Sequence, residues 1–236
     1  MKIRCSALGK IMTNPRTKGE VLSQTCKSYI QELALEDIYG IKKEFSSRYT
    51  DKGNEVENES LELCERVLDL GFTTKNDQFF SNEWIKGTPD ALGDNYVLDV
   101  KSSWSAATFP FFEEDIPNKD YYWQMQGYMW LCEKKYAILS YCLINTPEEI
   151  VNDEIRRTAW KKFEIEPSDE TIADVRNLHN FDSIPESRRV KTWLIDRKDS
   201  DIEAIKKRVE ECRVYYNELH ELYVWTCLPK DLINTL

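Results

Sequence analysis

The chain has 236 residues, 41% of them hydrophobic, and its 42 acidic against 32 basic side chains give a formal charge of −10. The length suits a single domain over 1–236, a core at about 1–145 with a C-terminal elaboration at about 146–236. The acidic balance excludes a protein that coats DNA by charge, since non-specific affinity comes mostly from lysine and arginine on phosphates. No apolar run nears the roughly 18–20 residues of a membrane helix, no signal-peptide pattern opens the chain, and seven scattered cysteines form no CxxC pair, so a reduced, cytoplasmic protein without zinc site, disulfide framework or membrane contact is expected.

Residues 3–12 read as a short strand or turn leading into a helix, with Ser6 as its N-cap. A hydroxyl and Arg4 at a helix start can also hold a phosphate. A second helix is expected from about Gly19 to Tyr39, then a polar, basic-leaning loop from Gly40 to Lys52. The next helix, Gly53 to Leu70, turns by roughly 100° per residue, which gathers Val56, Ser60, Leu63, Cys64 and Val67 into a buried stripe widened by Leu61 and Leu68. Glu57 falls inside that arc, where a carboxylate must be paired, hydrogen-bonded or metal-bound.

Trp84 to Ser103 reads as two antiparallel strands joined at Gly93-Asp94-Asn95. Side chains alternate along a strand, so Asp99 and Lys101 share a face, and Asp90 stands before the turn. Residues 104–118, rich in aromatic residues and proline, suggest a structured loop. A helix from about Lys119 to Lys134 follows, with a stripe of Tyr122, Met125, Met129 and Cys132. Gln124 and Gln126 sit roughly 200° apart on it and cannot both face one site. Tyr136–Ile144 reads as a buried strand ended by Asn145-Thr146-Pro147, two polar helices run to about His179, Arg188–Arg197 is another strand, and a long helix begins at Ser200. Its apolar 3-4 spacing from Ile202 to Tyr223 fits packing on its own core or a subunit interface.

Two close carboxylates repel unless a divalent cation lies between them, and an oxygen-only site suits magnesium or manganese. A lysine beside them can orient or deprotonate an attacking water, which suggests phosphodiester hydrolysis. A surface hairpin with an ordinary Asp–Lys pair would use the same residues. Gly87-Thr88-Pro89-Asp90 and then Asp99-Val100-Lys101 resemble the PD-(D/E)XK nuclease signature. Upstream, Gly53-Asn54-Glu55-Val56-Glu57-Asn58 resembles a helix of the lambda exonuclease and YqaJ-like viral recombinase family. Downstream, Gln124-Met125-Gln126-Gly127-Tyr128-Met129-Trp130 is similar to that family's Gln-x-Gln helix.

The resemblance implies an α/β, restriction-endonuclease-like core, a mixed central sheet flanked by helices, with an extra C-terminal strand and helices. It implies a magnesium-dependent exonuclease, with manganese as substitute, that resects linear duplex DNA 5′ to 3′ for phage-type recombination by single-strand annealing. Asp90, Asp99, Glu57 and the Val100 carbonyl would ligate metal, Lys101 would act on the water, and Gln126, favoured by its Met-Trp register, would support it. Gln124 with Tyr128 instead fits the Gln-x-x-x-Tyr spacing of RecB-type nucleases. Ser6 matches the serine of an Ile-x-x-Ser opening that helps hold a 5′-phosphate, while Arg4 stands where a smaller hydroxyl residue is usual. Lys42, Lys43, Arg48 and Lys52 face DNA or make a solvated connection. The expected partners are double-stranded DNA ends, a single-strand annealing protein and further copies in a trimeric ring, in the host cytoplasm if the chain is phage-encoded. The cysteines do not fit the iron-sulfur RecB-like enzymes. An endonuclease of this fold and a non-catalytic DNA-end binding module are the rivals.

Overall fold

A computed structural model describes residues 1–42, 47–70 and 74–227. The chain opens with β1 (Ile3–Arg4), a 3-10 turn at Cys5–Ala7 and the single-turn α1 (Leu8–Ile11). Helix α2 (Gln24–Tyr39) starts later than its sequence suggests. Gly19 has a φ of +92°, and Ser23 is the cap, accepting from Cys26 N; Gly40, at φ 65°, ends the helix. The long helix expected from Gly53 is two helices, α3 (Arg48–Glu55), begun by a Ser47–Thr50 capping box, and α4 (Glu57–Leu68), which meet at Val56. Thus Arg48 and Lys52 are helical, not loop; Lys43 lies outside the described residues and Lys42 is exposed.

Short strands β2 (Thr74–Lys75), β3 (Phe80–Ser81), β4 (Ile85–Gly87) and β5 (Ala91–Leu92) lead to β6 (Tyr96–Ser102). The first arm of the expected hairpin is broken: β4 joins β1 and β3 in a small sheet, while β5 pairs with β6. Pro89, which has no N–H to offer a ladder, sits in the break. After α5 (Lys119–Leu131) come β7 (Tyr136–Cys142), α6 (Glu148–Lys161), α7 (Asp169–His179), β8 (Val190–Asp196) and α8 (Asp199–Cys227).

The main sheet has the order β2-β5-β6-β7-β8, with β6 and β7 parallel and its other neighbours antiparallel. It is the mixed sheet flanked by helices that the restriction-endonuclease-like reading requires. Val97, Ala137 and Leu139 face one core with α1, α2, α5 and α8; Leu98, Val100 and Ile138 face α4 on the other side. Fully buried Ile205 and Val209 of α8 each contribute about 1.5–3 kcal/mol relative to exposure. Because β8 pairs with β7 over seven residues, the sheet is completed only by residues beyond 145. Glycines allow α1 and α5 to touch: a Cβ on Gly9 would lie 2.3 Å from Asp120, and one on Gly127 2.5 Å from Leu8.

Candidate active site

The alternation of β6 sets Asp99 and Lys101 on the face toward α5, with Asp99 fully buried. Lys101 Nζ is ion-paired to Asp99 Oδ2 and lies 3.4 Å from the Val100 carbonyl, with the Tyr121 ring centroid 5.1 Å away. Asp90, released from the ladder by the break at Pro89, accepts from Val100 N at 2.8 Å through Oδ2. From the second turn of α5, Gln124 Nε2 donates to Asp99 Oδ1 at 3.2 Å and to Tyr128 Oη at 3.1 Å. These groups and Glu57 open on one cavity of about 410 Å3.

The cavity holds more negative charge than Lys101 balances. Burial, then the nearby Asp99, pushes Asp90 up to about 8, against the pull of Lys101 and the Val100 N–H. Asp99 is also raised, by burial first and partly offset by Lys101; Glu57 adds to both. Burial alone would lower Lys101, but Asp99 and Asp90 outweigh it and raise its proton affinity. Burial and the field of Asp99 keep the Tyr128 phenol protonated. The donors suit a hard divalent cation: they are all oxygen, carry surplus charge, and Asp99 Oδ2 and the Val100 carbonyl share one positive charge, that of Lys101 Nζ. Glu57 lies at the rim, paired with Lys75 at 3.3 Å, and among the described residues no three acidic, histidine or cysteine side chains close into a ligand cluster.

No family model matches the chain, and no curated protein does. Among solved structures, a phage related exonuclease from Haemophilus somnus 129PT is 31% identical, with 94% of this chain and 96% of that one covered and a TM-score of 0.77. The chain belongs to the lambda exonuclease and YqaJ-like family of PD-(D/E)XK nucleases. An alkaline exonuclease (LHK-Exo) from Laribacter hongkongensis shares the fold at 15% identity and a TM-score of 0.64, covering 96% of this chain and 95% of that one. The same protein in complex with dAMP matches at 16% and 0.64, with the same coverage.

Within this nuclease fold, Gln126 does not face the carboxylates. It is fully buried on the other side of α5, where Nε2 donates to the Asp196 carbonyl at 2.8 Å and Oε1 accepts from Lys198 N at 3.0 Å. Gln124 and Tyr128 take the place expected of it. Ser6 is not an N-cap: it is exposed within the 3-10 turn, which has no side-chain cap. Arg4, Ser6 and Lys10 line a separate cavity of about 410 Å3 with Tyr29, Glu32 and Glu36, while Cys5 between them turns inward, within the field of Asp99. Arg48 pairs with Glu154, and Lys52 is buried. Tyr49, Thr50, Gly53 and Asn54 of α3 line the acidic cavity and escaped the sequence reading. Their spacing along α3 marks them as one helix face, which Glu57 continues from the first turn of α4.

Proposed function

We propose that the chain is a divalent-metal-dependent exonuclease acting on linear duplex DNA. The convergence of Asp90, Asp99 and Lys101 at the end of β6 carries this reading. Asp90, Asp99, Glu57 and the Val100 carbonyl would hold magnesium or manganese. Such an ion supplies charge opposite a phosphoryl oxygen and a lowered pKa for water. Lys101 keeps a proton at Nζ beside Asp99 and donates to the attacking water or a phosphate oxygen, fixing its direction of approach. Asp90 ties its carboxylate to the Val100 N–H, so the two acids move with the strand. Gln124 holds Asp99 Oδ1 and leaves Oδ2 toward the lysine.

The family resemblance extends the reading to 5′ to 3′ resection, an annealing partner and a trimeric ring. A closed ring would keep an acidic chain on its substrate by topology, not charge. Arg4, Ser6 and Lys10 would take a 5′-phosphate. The test is linear duplex labelled separately at its 5′ and 3′ ends, with and without magnesium. Release from 5′ ends only with metal, faster from 5′-phosphate than 5′-hydroxyl, is expected. Cleavage of a covalently closed circle at the same rate would make it an endonuclease, and binding without cleavage in magnesium or manganese would make it a binding module.

A further inference from the structure

The ammonium of Lys52, in α3, is among the most deeply buried in the described structure, with the residue only 1% exposed. Among the described residues it is paired with no carboxylate. Its Nζ donates to two successive carbonyls, Ser103 at 2.8 Å and Trp104 at 3.2 Å, beneath the rings of Trp104 and Phe181. Those carbonyls lie where β6 ends: Ser103 N still bonds the Cys142 carbonyl across the ladder, but among the described residues no backbone N–H reaches Ser103 O or Trp104 O. A methionine would fill the same space without the cost of burying a charge, so packing alone does not call for lysine here.

We infer that Lys52 is a positioning residue whose buried ammonium pins helix α3, and through it Glu57, to the end of strand β6. Two faces of α3 show how this works. Arg48, Lys52 and Val56 recur every fourth residue and face inward, to Glu154, to the two carbonyls and into the core. The adjoining face, Tyr49, Thr50, Gly53 and Asn54, forms the wall of the acidic cavity and continues to Glu57 on the first turn of α4. Asp90 and Asp99 are fixed to β6 itself, whereas Glu57 arrives on a separate helix. The Lys52 bonds tie α3, which leads into Glu57, to the chain just beyond the end of β6, while the Ser60–Ser102 hydroxyl bond at 3.0 Å holds the next turn of α4 to the strand itself. Trp104, stacked edge-on with Tyr49 at 5.0 Å and His179 at 4.9 Å, closes the tie from outside.

The inference rests on the proposed metal role of Glu57, and the test separates the two. Lys52→Met keeps the stem and removes the donors; Lys52→Arg keeps donors. In full-length Lys52→Met without metal, amide exchange should quicken across 48–57 and stay unchanged in β7. With metal, kcat and metal affinity, the latter read by calorimetry, should fall roughly 10–100-fold, as when a group supporting a ligand is lost, with KM for DNA unaltered and partial rescue in Lys52→Arg. In a Glu57→Gln background Lys52→Met should add nothing further. Unchanged exchange over 48–57, an additive double variant, or a Lys52→Met chain that does not fold would each overturn the inference. Wild-type metal binding in Glu57→Gln would instead overturn the role of Glu57, leaving the pinning of α3 to be decided by the exchange rates.

Discussion

The cavity at the end of β6 and the cage beneath α3 each hold one lysine, with charge out of balance in opposite directions. Lys101 shares its cavity with Asp90, Asp99 and the more distant Glu57, so both aspartates and the lysine have raised proton affinities. Among the described residues the Lys52 ammonium meets carbonyls and rings; burial lowers it to about 8, and burial and then Lys52 lower His179, on which Glu154 and Arg48 also act. An acidic surplus that costs stability without a cation marks a place to receive one. A lone buried ammonium bonded to two backbone carbonyls marks a joint.

The largest effect should come from the acidic side. Asp90→Asn, Asp99→Asn and Lys101→Ala should each lower the hydrolysis rate by about 10³-fold or more while the far-ultraviolet circular dichroism stays wild type, since they remove metal charge or the proton donor. Near-wild-type cleavage by any one of them at saturating DNA and magnesium would remove that residue from the chemistry.

The cage yields a pH dependence of opposite origin. An unfolded lysine binds its proton up to about 10.5 and Lys52 only up to about 8, so between those values the unfolded chain holds more protons and stability rises with pH. The rise is at most about 3.5 kcal/mol, at about 1.4 kcal/mol per tenfold change in proton affinity. Chemical denaturation at pH 7.5 and 10.5 should show a steeper rise in wild type than in Lys52→Met; equal slopes would mean the ammonium is as well solvated by its carbonyls as by water.

Returning to the acidic side, magnesium at about 100 times its Kd should stabilise the protein by about 2.7 kcal/mol. In a chain of this size that raises Tm by roughly 5–10 °C. Asp99→Asn should lose most of the rise and be the more stable of the two without metal, because one member of a repelling pair is gone. A full metal-induced rise in Asp99→Asn would place the cation elsewhere.

What could be read from the sequence depended on how local the deciding contact was. The shared face of Asp99 and Lys101 follows from strand alternation alone, and the arc that admits Glu57 follows from helical geometry. The break at Pro89 is local too, but Ile85 before it and Ala91-Leu92 after it carry the strand pattern across. Lys52 in a basic, polar stretch reads as solvated because its acceptors lie 51 and 52 residues on. Ser6 failed as a cap since a 3-10 turn precedes the helix, a difference no neighbouring residue announces.

The two glutamines of α5 show the same limit and give the smallest effect. Each is buried and each is bonded, so neither burial nor polarity separates them. Register in the family motif pointed to Gln126, but its partners are the Asp196 carbonyl and Lys198 N, some seventy residues away at the junction of β8 and α8. Gln126→Ala leaves both unpaired and should cost about 1–3 kcal/mol of stability with kcat kept. Gln124→Ala frees Asp99 Oδ1 on the cavity side, where its loss should be felt mainly in kcat and metal affinity, roughly tenfold or more, with little change in Tm. Paired melting curves and single-turnover rates decide it. If Gln126→Ala slows cleavage while its Tm holds, the assignment of the two faces of α5 is reversed.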